Sequence, residues 1–178
     1  MQGSSQILNR QDTLRATRII TIAMAIGLSV FMLIMVFMIR PLKFEAPLLE
    51  LGTKAVLTLV ALGFGLTSMV LSSLLAATTV RQRVKQLAAE RSQTTEMDSA
   101  STEPSLLQLF VNQHIIYLAI LEGSAFFNVI AYMIEGNPLC LVLALLLTGR
   151  IIASLPSGEK IETWIEQRQI EIADAAKF

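Results

Sequence analysis

Residues 117–150 read YLAILEGSAFFNVIAYMIEGNPLCLVLALLLTGR, two apolar runs joined by one polar tetrad. Glu135, Gly136, Asn137 and Pro138 form that tetrad. Gly and Asn accept left-handed backbone and Pro cannot continue the helix before it, so residues 135–138 predict a tight turn. The flanking runs extend over 106–134 and 139–155. A helix needs about 20 apolar residues to cross a ~30 Å hydrocarbon layer. The stretch therefore predicts an antiparallel hairpin of two transmembrane helices.

Two more apolar runs lie towards the N-terminus. Residues 19–39 are bracketed by Arg18 and Arg40, with Pro41 beyond. Their unbroken length, with no small-residue cleavage site after them, predicts a retained span rather than a secretory leader. Residues 55–80 form the other run, in which Ala61, Gly65, Ser68, Ser72, Ala76 and Thr79 fall on one helical face. A stripe of small residues lets a second helix approach closely, so this face is expected inside a bundle, with a hydroxyl-lined transport path as the alternative.

The expected fold is thus an all-α integral membrane protein, a bundle of four transmembrane helices with a C-terminal amphipathic interfacial helix. Composition agrees, since 53% of the 178 residues are hydrophobic and 16% charged, against about 25% charged in soluble domains. Fourteen basic and fourteen acidic residues cancel, which leaves no overall basic field to attract nucleic acid. The single cysteine, Cys140, excludes an internal disulfide and reads as apolar packing.

Lys and Arg number three in 1–18, four in 81–105 and three in 156–178, against Arg40, Lys43 and Lys54 in 40–54 and none in 135–138. The positive-inside rule then places both termini and the middle connection in the cytoplasm of a plasma or inner membrane, with 40–54 outside. Within 81–105, RQRVKQLAAER is expected to prolong the second span as a helix, and SQTTEMDSASTEPS to be mobile for want of apolar residues. In 156–178, Ser157 is a helix cap, and Ile161, Trp164, Ile165, Ile172 and Ala176 share one face. That face predicts a helix at the membrane surface with Trp164 as interfacial anchor, or one docked on another protein. The segment SSQILNRQDTLRATR reads as a shorter helix of the same kind.

Inside the hairpin stands an acid, Glu122. An ionisable group in hydrocarbon costs roughly 2.5–3.5 kcal/mol on insertion scales and marks a functional candidate by default. Glu122 and Arg150 each lie fourteen residues from Gly136, hence at equal depth in an antiparallel hairpin. They are the candidate intramembrane polar pair. The alternatives are a neutral Glu122 bonded to a hydroxyl of the second span, or a carboxylate that handles protons or ions. Asn128 projects about 120° away from Glu122 and reads as an interhelical link or, with Gly65, Ser68 and Ser72, as part of a transport path. The lone His114 builds no zinc or haem site by itself.

A glycine-bearing helix, a basic connection, then a helix with a membrane-embedded Glu122 and a following Asn137-Pro138 resembles in outline the proteolipid ring subunits of rotary ATPases. Only Gly63 and Gly65 stand where that family repeats glycines, and the connection 81–105 replaces its short polar turn. Membership is therefore not adopted. Catalytic signatures are missing as well: no HExxH, GxSxG or phosphate-binding glycine loop occurs. No enzyme, cofactor or metal is expected. Two roles follow: an accessory, assembly or scaffold subunit of a larger membrane complex, or an oligomeric proton, ion or small-solute transport subunit that uses Glu122. Lipid and a membrane-protein partner, or further copies of the chain, are the expected contacts.

Overall fold

The computed structural model describes residues 2–39, 56–93 and 99–175. Five helices account for nearly all of them: α1 (Gln2–Ile34), α2 (Val56–Gln93), α3 (Ser99–Glu135), α4 (Pro138–Ala153) and α5 (Gly158–Ala175). A π-helical turn, Met35–Ile39, continues α1. No strand occurs among the described residues. The loop 40–54 expected outside the membrane, and Ala176, lie outside the described residues.

Among the described residues, three helical stretches are long and apolar enough to cross a membrane: Gln11–Phe37, Val56–Gln86 and Pro104–Glu135. The 16 residues of α4 reach only about 24 Å, short of a ~30 Å layer. A fourth span is counted only if α4 and α5, separated by a break of a few residues, are taken together.

The chain divides into two units, built from different parts of the same helices. Unit 2 comprises Ile20–Ser73 and Tyr117–Leu155, and its core gathers one stripe from each of four helical segments. On α1 the buried stripe is Thr21, Ala25, Leu28 and Met32, which repeats at helical spacing. Ala61, Gly65, Ser68 and Ser72 form the buried face of α2. Leu118, Leu121, Ala125, Val129 and Tyr132 of α3 meet Cys140, Leu143, Ala144, Leu147 and Ile151 of α4 in the same cluster. Two ring contacts add to it, Phe31 with Phe126 at 5.0 Å and Phe64 with Phe127 at 5.9 Å. Apolar residues such as Ile22, Ile26, Val30, Val60, Leu71, Leu145 and Leu146 stay exposed, the pattern of helices whose outer faces meet lipid. In such surroundings van der Waals fit and interhelical hydrogen bonds, rather than escape from water, hold the helices together.

The hairpin turn is built as its chemistry requires. Gly136 takes φ 75°, and its N–H donates to the Tyr132 carbonyl at 2.7 Å, closing the end of α3. Asn137 caps α4 by accepting from the Leu139 N–H at 3.0 Å, and Pro138 occupies the first turn, where its missing N–H costs nothing.

Unit 1 comprises Met1–Ile19, Leu74–Ile116 and Pro156–Phe178. Its core is Val80, Val84, Leu106, Leu107 and Leu109 closed by Ile161, Ile165 and Ile172. The apolar face of α5, expected at lipid headgroups or on another protein, is therefore covered by the chain's own α2 and α3. Burying each isoleucine is worth about 1.5–3 kcal/mol relative to exposure, which is why the face turns inwards. Ser157 caps α5 through the Lys160 N–H at 3.3 Å, and Arg18 Nε donates to the Pro156 carbonyl at 2.9 Å.

Two segments differ from expectation. The stretch 99–105, read as part of a mobile loop, is the first two turns of α3, with Pro104 inside the helix. Leu106 and Leu107, both buried, give those turns a core to join, which offsets the bond that Pro104 cannot donate to Ala100. The N-terminal segment is not a separate helix either; it runs without a break into the first span.

Candidate functional site

The polar residues inside unit 2 converge on the middle of α2 and α3. Asn128, fully buried, donates from Nδ2 to the Ala61 carbonyl of α2 at 3.1 Å and to the Ser124 carbonyl of its own helix at 2.9 Å. Asn128 therefore links α3 to α2. Its Oδ1 and the Ser124 hydroxyl, both buried, have no hydrogen-bond partner; an unmade bond of this kind costs about 1–3 kcal/mol.

Gly65 lies directly against this link. A Cβ added there would sit 2.5 Å from Leu143 Cδ2 and 2.9 Å from Asn128 Nδ2. Only glycine permits so close an approach of α2 to α4 and Asn128. The neighbouring hydroxyls are spent within their own helix: Ser68 donates to the Gly65 carbonyl at 2.8 Å and Ser72 to the Met69 carbonyl at 3.2 Å. Gly65 and Asn128 thus meet in a packed contact with Leu143, and Ser68 and Ser72 are buried on the same face of α2.

Glu122 and Arg150 are not brought together. Arg150 donates from Nε to the Tyr117 hydroxyl at 2.9 Å. Tyr117 precedes Glu122 by five residues, which turns it about 140° around α3 and places it some 7.5 Å nearer the far end of the hairpin from the turn. Equal depth does not fix the azimuth of a side chain, and the long Arg side chain reaches a hydroxyl of α3 instead. Glu122 itself is half-buried, between the buried Leu121 and Ala125 on one side and the exposed Ala119 and Gly123 on the other. Among the described residues it makes no hydrogen bond and no ion pair. A Cβ on the adjacent Gly123 would meet nothing within 4 Å, so the flank beside the acid is open.

Glu135 is a partner that turn chemistry alone did not single out. Its two carboxylate oxygens accept from the Leu57 N–H at 2.8 Å and the Thr58 N–H at 2.7 Å. The end of α3 thereby caps the start of α2, where the unbonded N–H groups and helix dipole favour an acid. An acid in a turn that needs none was the only signal for it in the sequence.

The remaining singled-out residues lie in unit 1. Trp164, half-buried, packs edge-on to Phe110 with ring centroids 5.4 Å apart, and the Arg168 guanidinium lies 5.6 Å from its ring. Arg168 also pairs with Glu171. His114 stacks on Phe110 at 6.1 Å. Among the described residues no three His, Cys, Asp or Glu side chains are gathered as metal ligands would be.

Comparison with known proteins returns no match: no family model fits the chain, and no curated protein and no solved structure is detectably similar to it.

Proposed function

We propose that the chain is a four-span membrane protein that serves as an accessory, assembly or scaffold subunit of a larger complex in a plasma or inner membrane. In this reading α4, short as it is, crosses the bilayer as the second arm of the hairpin. Both termini and the connection between α2 and α3 face the cytoplasm. The three segments that the positive-inside rule assigns to that side are the ones that cluster in unit 1. There α5 is an amphipathic surface helix, its isoleucines turned inwards and Glu159, Glu162 and Glu166 exposed for contact with partners.

The observation that carries the proposal is Glu122. An acid in a span is tolerated where something satisfies it, and nothing within the described chain does. Beside it, Ala119 and Gly123 are exposed at small-xxx-small spacing, a surface against which another helix packs closely. A second chain with a basic or hydroxyl group at this depth completes the site.

A second reading rests on the same carboxylate: copies of the chain assemble so that Glu122 lines a proton or ion path between them. The closed contact at Gly65, Asn128 and Leu143 speaks against a path through one copy, and the accessory reading is preferred for that reason. The two are separated with Glu122→Leu and Glu122→Gln in tagged full-length chain expressed in its own cells. The proposal expects both variants to insert normally and to lose a co-purifying partner, Leu more than Gln. Retained partners with ion flux abolished in Glu122→Gln would support transport instead.

A further inference from the structure

Within unit 1, α2 and α3 enclose a groove of about 570 Å³. Gln82, Arg83 and Gln86 line it from α2, and Ser105, Gln108 and Asn112 from α3. On each helix these positions recur every three or four residues, so a continuous polar face of α2 looks across at one of α3. The buried Leu109 lies at its base. Both faces belong to the terminal turns of stretches long and apolar enough to cross a membrane, Val56–Gln86 and Pro104–Glu135. When those stretches span a bilayer, the groove stands at the level of the headgroups.

The lining has the polarity of an anion site. Among the described residues that line it there is one cation, Arg83, and no acid. Arg83 Nη1 donates to Gln86 Oε1 at 2.9 Å, which occupies the acceptor of that amide and leaves its NH₂ to donate elsewhere. Gln108 Nε2 donates to Asn112 Oδ1 at 3.1 Å, with the same consequence for the Asn112 amide. The remaining guanidinium N–H groups, two amide NH₂ groups and the Ser105 hydroxyl therefore present an excess of donors around one positive charge. Phosphate oxygens are the complement of that arrangement. The volume lies within the ~300–1,000 Å³ of small-ligand sites, enough for a glycerophosphate group.

We infer that this groove binds the phosphate-bearing headgroup of an anionic glycerophospholipid. Arg83 pairs with the phosphate, the amides of Gln86 and Asn112 donate to its oxygens, and the acyl chains remain in the bilayer. The inference rests on α2 and α3 spanning the membrane and is independent of the accessory role, because its test reads bound lipid rather than assembly.

The experiment uses the full chain, stripped of lipid in mild detergent and offered an equimolar mixture of phosphatidylglycerol and phosphatidylcholine. Retained lipid is counted by native mass spectrometry, and helix content is checked by circular dichroism for each variant. Preferential retention of phosphatidylglycerol is expected. Arg83→Gln should lower it roughly fivefold, the worth of one basic side chain at an anionic surface. Asn112→Leu should lower it too. Arg81→Gln, which removes an exposed neighbouring charge that does not line the groove, should leave it unchanged. Equal retention of the two lipids overturns the inference, as does an equal loss in Arg81→Gln and Arg83→Gln, which would mean a diffuse basic surface. Displacement of the lipid by free glycerol 3-phosphate at comparable concentration would assign the groove to a soluble phosphoester and likewise overturn it.

Discussion

Gly65→Ala adds a single methyl group at the tightest point of unit 2. The new Cβ would stand 2.5 Å from Leu143 Cδ2, 3.2 Å from Leu143 Cγ and 2.9 Å from Asn128 Nδ2. Carbon atoms rest about 3.5–4.0 Å apart, so the leucine tip must move by about an ångström. Leu143 is itself buried and cannot swing freely. Overpacking of this kind costs about 1–3 kcal/mol. Displacing the Asn128 amide also weakens its bond to the Ala61 carbonyl, worth about 0.6 kcal/mol for an average interhelical bond in a membrane and up to about 1.7. Against these stands the better helix propensity of Ala, about 0.8–1.0 kcal/mol. The net expectation is a loss of about 1–3 kcal/mol. Leu143→Ala removes the clashing tip, so the cost of Gly65→Ala should fall by at least about 1 kcal/mol in that background. Reversible unfolding in mixed micelles, titrated with denaturing detergent and followed by far-UV circular dichroism, measures all four corners of the cycle. A Gly65→Ala chain as stable as the parent, or additivity within about 0.5 kcal/mol, would refute the close approach.

Three further outcomes follow from other contacts. Glu135→Ala should speed hydrogen exchange at the Leu57 and Thr58 amides, which lose their carboxylate acceptors; Glu135→Gln, with one acceptor oxygen left, should do so less, and unchanged exchange would remove the cap. Tyr117→Phe deletes the acceptor of the Arg150 bond and should cost about 0.6 kcal/mol in the same micelle titration, whereas Glu122→Gln, which does not touch Arg150, should cost no Arg150 contact and should not couple to Arg150→Gln. Ile165→Asp places a charge in the core of unit 1 and should release α5, read as faster proteolysis of residues 158–175; Ile165→Ala should cost about 2–5 kcal/mol and protect that segment less than the parent does.

The all-helical class and the presence of several membrane-length helices could be read from the sequence because apolar run length against bilayer thickness is a one-dimensional property. The turn at Glu135 to Pro138 was also legible, since Gly136 and Asn137 act through their own backbone. Rotation about a helix axis was not legible. Counting residues from Gly136 put Glu122 and Arg150 at one depth, but whether their side chains meet depends on the relative rotation of α3 and α4, which the packing of Leu121, Ala125, Leu143 and Leu147 sets. Arg150 found Tyr117 as a result. The destination of α5 was hidden for a similar reason. A stripe of Ile161, Ile165 and Ile172 looks the same whether it meets lipid or protein, and only the end of α2 and the start of α3, with Val80, Val84, Leu106 and Leu109, supply the surface that covers it. Glu135 as a cap for α2 required knowing that the start of α2 lies beside the hairpin turn, a long-range fact that no local motif carries.

The accessory-subunit role stands or falls on what surrounds Glu122 in the membrane. The most direct measurement is the native mass of the full chain extracted from its own membrane in mild detergent, with every co-migrating chain identified. A heteromeric assembly that dissociates when Glu122 is replaced by Leu is the predicted result. A lone monomer, or an assembly of this chain only, would contradict it.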